Sequence, residues 1–274
     1  MISTEEYSDA QKIRRVPNLP PNRSVERALS ILRAFRPGVA ALGNAELVEL
    51  TGLPRSTISR LTQTLVENGF LQYELRRGTY RLGPPLLSLA HALRLESEIL
   101  KLAQPLMREI AEGHKINVGL AVADQMDMVY LESVRKNRSG LFRHVTSGSR
   151  VPMEITSLGH AFLSTLSGPA LDTQLNHLKI RHPKNWKQVK ASIMNAHKAV
   201  HSQGVCQASW QAGITSIASP LGLEDQPPYV FNISFASQDF SASQIESQLI
   251  PLLQGLLQKV REQLADARSL EELS

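Results

Sequence analysis

A glycine turn set directly before a proline-led helix restricts this chain more than any other feature. In Thr51-Gly52-Leu53-Pro54-Arg55-Ser56-Thr57-Ile58-Ser59-Arg60-Leu61, Gly52 can take the positive φ of a tight inter-helix turn, and Pro54 pre-sets φ for helix entry. Ile58, Leu61 and Leu65 then share one apolar stripe, leaving Arg55, Ser56, Thr57, Ser59, Arg60 and Gln63 elsewhere on the helix. Upstream, Val25, Ala28, Leu29, Leu32 and Phe35 recur at helical spacing before Pro37-Gly38. A short helix follows Asn44, read as its N-cap, with Glu46 in the first turn. After Asn68-Gly69, two strand-like runs, Phe70 to Glu74 and Thr79 to Leu82, flank Leu75-Arg76-Arg77-Gly78. Helix, helix, turn, helix, hairpin is the order of a winged helix-turn-helix, whose third helix enters the major groove while the wing lies along the backbone.

A helix that reads base edges needs forked and hydroxyl donors near its N-terminal end, because each base pair shows the major groove a distinct donor and acceptor pattern. Arg55, Ser56, Thr57, Ser59, Arg60 and Gln63 supply such donors, while Arg76 and Arg77 at the wing tip suit phosphates. Arg60 fits either a bidentate contact to guanine or a phosphate clamp. Charge agrees with this placement. The chain carries 30 basic and 25 acidic residues, a balance of +5, and Arg23 to Arg81 holds nine arginines against five glutamates.

Residues 1–22, with Pro17, Pro20 and Pro21, show no sustained periodicity and read as a flexible arm, able to touch DNA through Lys12, Arg14 and Arg15. From Pro84, apolar residues over more than one helix face predict a helical linker, and a further helix over Leu102 to Glu112 contains Pro105. The period then changes. Val118 to Val122, Met128 to Glu132 and, more weakly, Leu141 to Val145 read as strands; Ser157 to Leu166, Asp172 to Leu178 and Trp186 to Ser202 as helices; Ile214 to Ser219 and Tyr229 to Phe235 as strands; and a long amphipathic helix closes the chain. The expected fold class is therefore α+β with a largely antiparallel second-domain sheet. The expected domains are 23–83 for DNA binding, 84–103 as linker and 104–268 for effector binding and oligomerisation.

One cysteine, Cys206, excludes an internal disulfide and any CxxC zinc site and reads as a buried small hydrophobe in a reducing compartment. No run long enough to span a bilayer occurs, so the expected location is cytoplasmic, away from membranes. Enzyme signatures are missing: there is no GxSxG elbow, P-loop lysine, GxGxxG or HExxH. His197 and His201 could share a helix face but lack a third ligand. No catalytic residue, metal site or cofactor is assigned.

The blocks Arg23-Ser24-Val25-Glu26-Arg27-Ala28-Leu29-Ser30-Ile31-Leu32, Thr51 to Leu61, and Tyr80-Arg81-Leu82-Gly83 together resemble the IclR family of bacterial transcriptional regulators. The likeness continues through Gly148-Ser149-Arg150-Val151-Pro152 and Ser157-Leu158-Gly159-His160-Ala161-Phe162-Leu163 and covers roughly 23 to 265. It implies a GAF-like α/β sandwich as effector domain, homodimers or homotetramers held through linker and effector regions, and control of catabolic or stress genes by a small ligand. The implied partners are double-stranded operator DNA, the effector and further copies of the chain, with RNA polymerase a further candidate. Carried over by position, the resemblance implies an effector pocket at Ser157, Leu158, Ser216, Asn232 and Ser234.

The residues themselves leave alternatives open. Phe231, Ile233 and Phe235 fall on one strand face and Val230, Asn232 and Ser234 on the other, where the polar pair meets either a ligand or water. The helix start at Ser157 offers unpaired N–H groups to a ligand carboxylate, or is an ordinary N-cap made by Thr156 or Ser157. Trp210 suits stacking on an aromatic ligand or plain packing. Family members commonly carry an acidic residue before the glycine at 213. This chain has Ala212 there, which leaves open both the effector and whether ligand response is retained.

Overall fold

The computed structural model describes residues 22–136, 145–223 and 228–271, and the chain divides into two compact units between Ser97 and Glu98. The first unit holds α1 (Arg23–Ala34), β1 (Leu42–Gly43), α2 (Asn44–Thr51), α3 (Arg55–Glu67), β2 (Leu71–Glu74), β3 (Thr79–Leu82) and α4 (Pro85–Glu96). Asn22, expected to end the arm, instead caps α1: its Oδ1 accepts from the Ser24 and Val25 backbone N–H groups at 3.0 and 3.3 Å. The rest of the arm, with Lys12, Arg14 and Arg15, lies outside the described residues. Asn44 is the first residue of α2 rather than its cap. Gly43 takes the cap position because Glu46 reaches back, its Oε2 accepting the Gly43 N–H at 2.7 Å.

Gly52 closes α2 at φ 68°, its N–H donating to Val48 O at 2.8 Å, and α3 starts directly after Pro54. Short helices like these are marginal alone, so packing must hold them. Ile31, Phe35, Leu47, Ile58, Leu61, Leu65, Leu71 and Tyr80 form that core, each fully buried large side chain contributing about 1.5–3 kcal/mol. β3 lies between β1 and β2. In α4 no residue is buried, and Leu87, Leu89, Leu93 and Leu95 are all more than half exposed.

The second unit holds α5 (Glu98–His114), β4 (Asn117–Asp124), β5 (Asp127–Arg135), β6 (Arg150–Pro152), α6 (Ser157–Leu163), α7 (Gly168–Lys179), α8 (Trp186–Gln203), β7 (Cys206–Gln211), β8 (Ile214–Leu221), β9 (Tyr229–Ala236) and α9 (Ala242–Gln244), which passes through a π-helical turn (Ile245–Leu249) into α10 (Ile250–Glu271). α5 is continuous across the expected boundary at 103/104, and its Ile99, Leu100 and Ala103 are buried in this unit. Of the weak strand expected over Leu141 to Val145, residues 141–144 lie outside the described residues.

The sheet runs β6-β5-β4-β9-β8-β7 with every neighbouring pair antiparallel. Residue alternation decides its two faces. Val118, Leu120, Ile217, Phe231, Ile233 and Phe235 pack with the apolar residues of α5 and α10. Ala121, Met128, Val151, Ala218 and Val230 pack with those of α6, α7 and α8. Helices therefore cover both faces, and the polar strand residues Ser216, Ser219 and Asn232 are enclosed rather than left to water.

Candidate DNA interface and effector cavity

On α3, Arg55, Ser56, Ser59, Arg60 and Gln63 are exposed and Thr57 is half-buried, while Ile58, Leu61 and Leu65 enter the core. Thirteen helical residues span about 20 Å, long enough to follow a major groove. Thr62, which carried no sequence expectation, is fully buried. Its hydroxyl lies 2.8 Å from Ile58 O and 3.1 Å from the Tyr80 hydroxyl, joining α3 to the hairpin strand β3. Gln63 Nε2 donates to Glu67 Oε1 at 2.9 Å, leaving its second N–H and its carbonyl oxygen outside that bond. In the hairpin, Arg77 and Arg81 lie 3.5 and 3.1 Å from the two Glu74 carboxylate oxygens. Arg76 is exposed and has no acidic partner among the described residues. Three arginines against one glutamate leave the wing positive.

On the α6 side of the second-unit sheet lies a cavity of about 40 Å³ whose lining brings together Ser157, Leu158, Ser216, Asn232 and Ser234. Asn232 is 3% exposed and Ser234 is half-buried, so Asn232 does not face open water. Ser157 Oγ donates to Ser216 Oγ at 2.9 Å, Asn232 Nδ2 donates to the same oxygen at 2.9 Å, and Ser216 donates onward to Ile233 O at 3.1 Å. Ser216 thus uses its one donor and both lone pairs. Asn232 Oδ1 is buried and accepts no hydrogen bond from the described residues.

Gly119 pairs with Asn232 across β4 and β9. A Cβ at Gly119 would meet Asn232 Oδ1 at 2.4 Å and Tyr130 Cε1 at 2.5 Å, so its bare Cα is what lets those two side chains converge. Burial pushes the Tyr130 phenol up to about 12, against the opposing hydrogen bond from Asn232 and charge of Arg135. Arg135 and Trp210 also line the cavity. Sequence reading assigned no role to Gly119, Tyr130 or Arg135. A glycine inside an alternating strand was the available signal.

Thr156, not Ser157, caps α6: its Oγ1 accepts the Gly159 N–H at 3.2 Å and donates to Pro152 O at 2.6 Å. That leaves the Ser157 hydroxyl for Ser216. Cys206 is buried, as expected, its thiol pushed up to about 12 by burial and donating to Ser157 O at 3.4 Å. Behind the β6–α6 corner, Arg150 bridges Asp124 and Asp127 at 2.7 and 3.1 Å, Arg181 contacts Asp127 at 2.8 Å, and His182 Nε2 lies 2.9 Å from Glu154 Oε1. This network went unread because its members are scattered in sequence. His197 and His201 stack at 4.4 Å, and no cluster of three metal-ligating side chains occurs among the described residues.

Comparisons with known proteins agree with this architecture. The IclR helix-turn-helix domain matches residues 24–75, and the bacterial transcriptional regulator IclR C-terminal domain matches residues 91–261.

The chain belongs to the IclR family.

It is 30% identical over 253 residues to the HTH-type transcriptional regulator TsaQ1/TsaQ2 of Comamonas testosteroni, covering 89% of each chain. An IclR family transcriptional regulator from Brucella abortus superposes with a TM-score of 0.81 at 30% identity, over 89% of this chain and 95% of that one. An IclR homolog from Microbacterium hydrocarbonoxydans, solved as a complex with 4-hydroxybenzoate, shares the fold at a TM-score of 0.62 and 20% identity, over 89% and 99% of the chains. This IclR-family chain is a DNA-binding transcriptional regulator rather than an enzyme, and no described helix is long and apolar enough to cross a membrane.

Proposed function

We propose that the chain regulates a bacterial catabolic or stress operon by sequence-specific binding of operator DNA, under the control of a small carboxylate or aromatic acid held in the cavity at Ser157, Leu158, Ser216, Asn232 and Ser234. The observation that carries the effector reading is the charge of the lining: among its described residues Arg135 is the one charged side chain, and it is cationic. Such a site favours an anion, and hydroxyl and amide donors around it fix orientation. Tyr130 and Trp210 add aromatic wall for a ring. The 4-hydroxybenzoate complex of the Microbacterium hydrocarbonoxydans protein supports the same class. Because Thr156 takes one α6 N–H and the helix is short, the helix dipole is a minor contributor.

The cavity volume bears on mechanism. About 40 Å³ accommodates roughly three waters, less than an aromatic acid needs, so binding requires its walls to move. That movement is the event transmitted to the reading heads.

On the DNA side, Arg55, Ser56, Thr57, Ser59, Arg60 and Gln63 enter the major groove, and Arg76 and Arg77 hold phosphates. The DNA-binding domain is assigned to 23–83, the linker within 84–103 to the exposed helix Pro85–Glu96, and the effector domain runs to about 268. Exposed leucines on that helix suit a homodimer or homotetramer reading a pseudo-palindromic site in the cytoplasm. RNA polymerase is a further partner in this scheme.

The test is a thermal-shift screen of benzoates and small carboxylates against the full chain, followed by gel shifts on DNA upstream of its gene. An effector must change both melting temperature and DNA affinity, because linkage couples the two. A compound that shifts neither is not the effector, and a chain that binds no upstream duplex is not an operator-binding protein of this kind.

A further inference from the structure

The hairpin of the first unit carries its apolar face off the end of the domain. Leu71 is 1% exposed, Tyr73 46% and Leu75 86%, and Leu75 exceeds every other large apolar side chain among the described residues. Leu71 and Tyr80 belong to the core, Tyr73 pairs with Tyr80 across the strands with ring centroids 5.0 Å apart, and Leu75 opens the turn. The turn is held from within. Glu74 O accepts the N–H groups of Arg77 and Gly78 at 3.2 and 2.9 Å, and Gly78 supplies the positive φ of 65°. Leu75 is therefore presented on a fixed support next to Arg76 and Arg77.

A single exposed leucine is common on protein surfaces and by itself means nothing. Its setting gives it meaning. It sits at the tip of the positive hairpin of a domain that binds DNA, where the adjacent Arg76 and Arg77 suit phosphates. Apolar side chains in such places enter the minor groove and part a base step, while the surrounding contacts hold the bent duplex. We propose that Leu75 is an apolar wedge that enters the minor groove and partly unstacks one base step, so that the protein selects a deformable pyrimidine–purine step where no hydrogen bond reads a base. The proposal rests on the assignment of the hairpin to DNA.

The probe is a duplex enriched from a random-sequence library by the wild-type full chain, labelled at both ends for bending and with 2-aminopurine at the wing-proximal step. Leu75→Ser should weaken binding about tenfold or more, reduce both the bend and the 2-aminopurine signal, and leave the salt slope unchanged, since no phosphate contact is removed. Leu75→Met should retain the bend. Wild-type affinity, bend and step preference in Leu75→Ser would overturn the wedge. If Arg76→Ala then still lowers affinity and salt slope, only the wedge falls. If the wild-type chain enriches no duplex, the assignment of the hairpin to DNA falls with it.

Discussion

Ser157 Oγ donates a hydrogen bond to Ser216 Oγ at 2.9 Å across 59 residues of sequence, and this bond joins the start of α6 to strand β8 of the sheet. Both residues are nearly fully buried, so neither hydroxyl has water as an alternative partner. Ser216→Ala would strand the Ser157 hydroxyl and one Asn232 amide donor. The expected cost is about 1–3 kcal/mol of stability, read as a fall in the denaturant midpoint at unchanged m-value. The effector-induced thermal shift should vanish in the same variant, and an unaltered shift would remove Ser216 from the ligand site.

Gly119→Ala is expected to fill the cavity from the strand side. Asn232 and Tyr130 would have to move to admit the methyl, at about 1–3 kcal/mol for an overpacked site. DNA affinity of the ligand-free chain should be little changed, because Gly119 lies in the other unit. Gel shifts with and without effector distinguish a blocked cavity from general misfolding.

Arg60→Ala and Arg76→Ala should behave differently on DNA. If Arg60 reads a base, its loss costs about 1–3 kcal/mol on the selected duplex and relaxes preference at one position. Arg76→Ala should weaken all duplexes similarly and lower the salt slope by about 1. Affinity measured over a salt series on specific and random duplexes separates the two, and equal losses for Arg60→Ala on both would reassign it to phosphate.

Acid should destabilise the second unit through His160. Its Nε2 lies 3.0 Å from Glu154 O, and its buried Nδ1 has no hydrogen-bond partner among the described residues. Burial lowers its pKa below the ordinary 6.5, against the smaller opposing effects of Glu154. The unfolded chain therefore binds this proton before the folded one does, so stability is complete above 6.5 and declines as pH falls below it. Burial shifts His197 the same way, helped by the neighbouring charge of His201. Melting temperature should fall between pH 7.5 and 5.5, with a shallower slope in His160→Gln; an identical slope would exonerate His160.

Legibility in the sequence followed the range of the interactions. Gly52, Pro54 and the stripe Ile58, Leu61, Leu65 are consequences of local backbone geometry and helical period, and the structure places them where those rules require. The faces of Tyr229–Ala236 were equally readable from alternation. Strand Cys206–Gln211 carries no sequence expectation, because Cys-Gln-Ala-Ser-Trp-Gln has no β-branched residue and takes its strand conformation from pairing with Ile214–Leu221. Arg150 stands in the Gly148 to Pro152 block, but nothing local ties it to Asp124 or Asp127, or Arg181 to Asp127 and Glu154.

Sequence by itself determined the winged helix-turn-helix order, the position of the exposed arginines on one helix and the α+β class, because each depends on spacing within a few residues. Tertiary structure alone decided that Asn232 on the last strand is buried, that Gly119 makes room for Tyr130 and Asn232, and that Thr62 ties its helix to the hairpin. The physical reason is that burial and hydrogen-bond partners depend on which distant segments come together, and spacing along one segment carries no record of its neighbours.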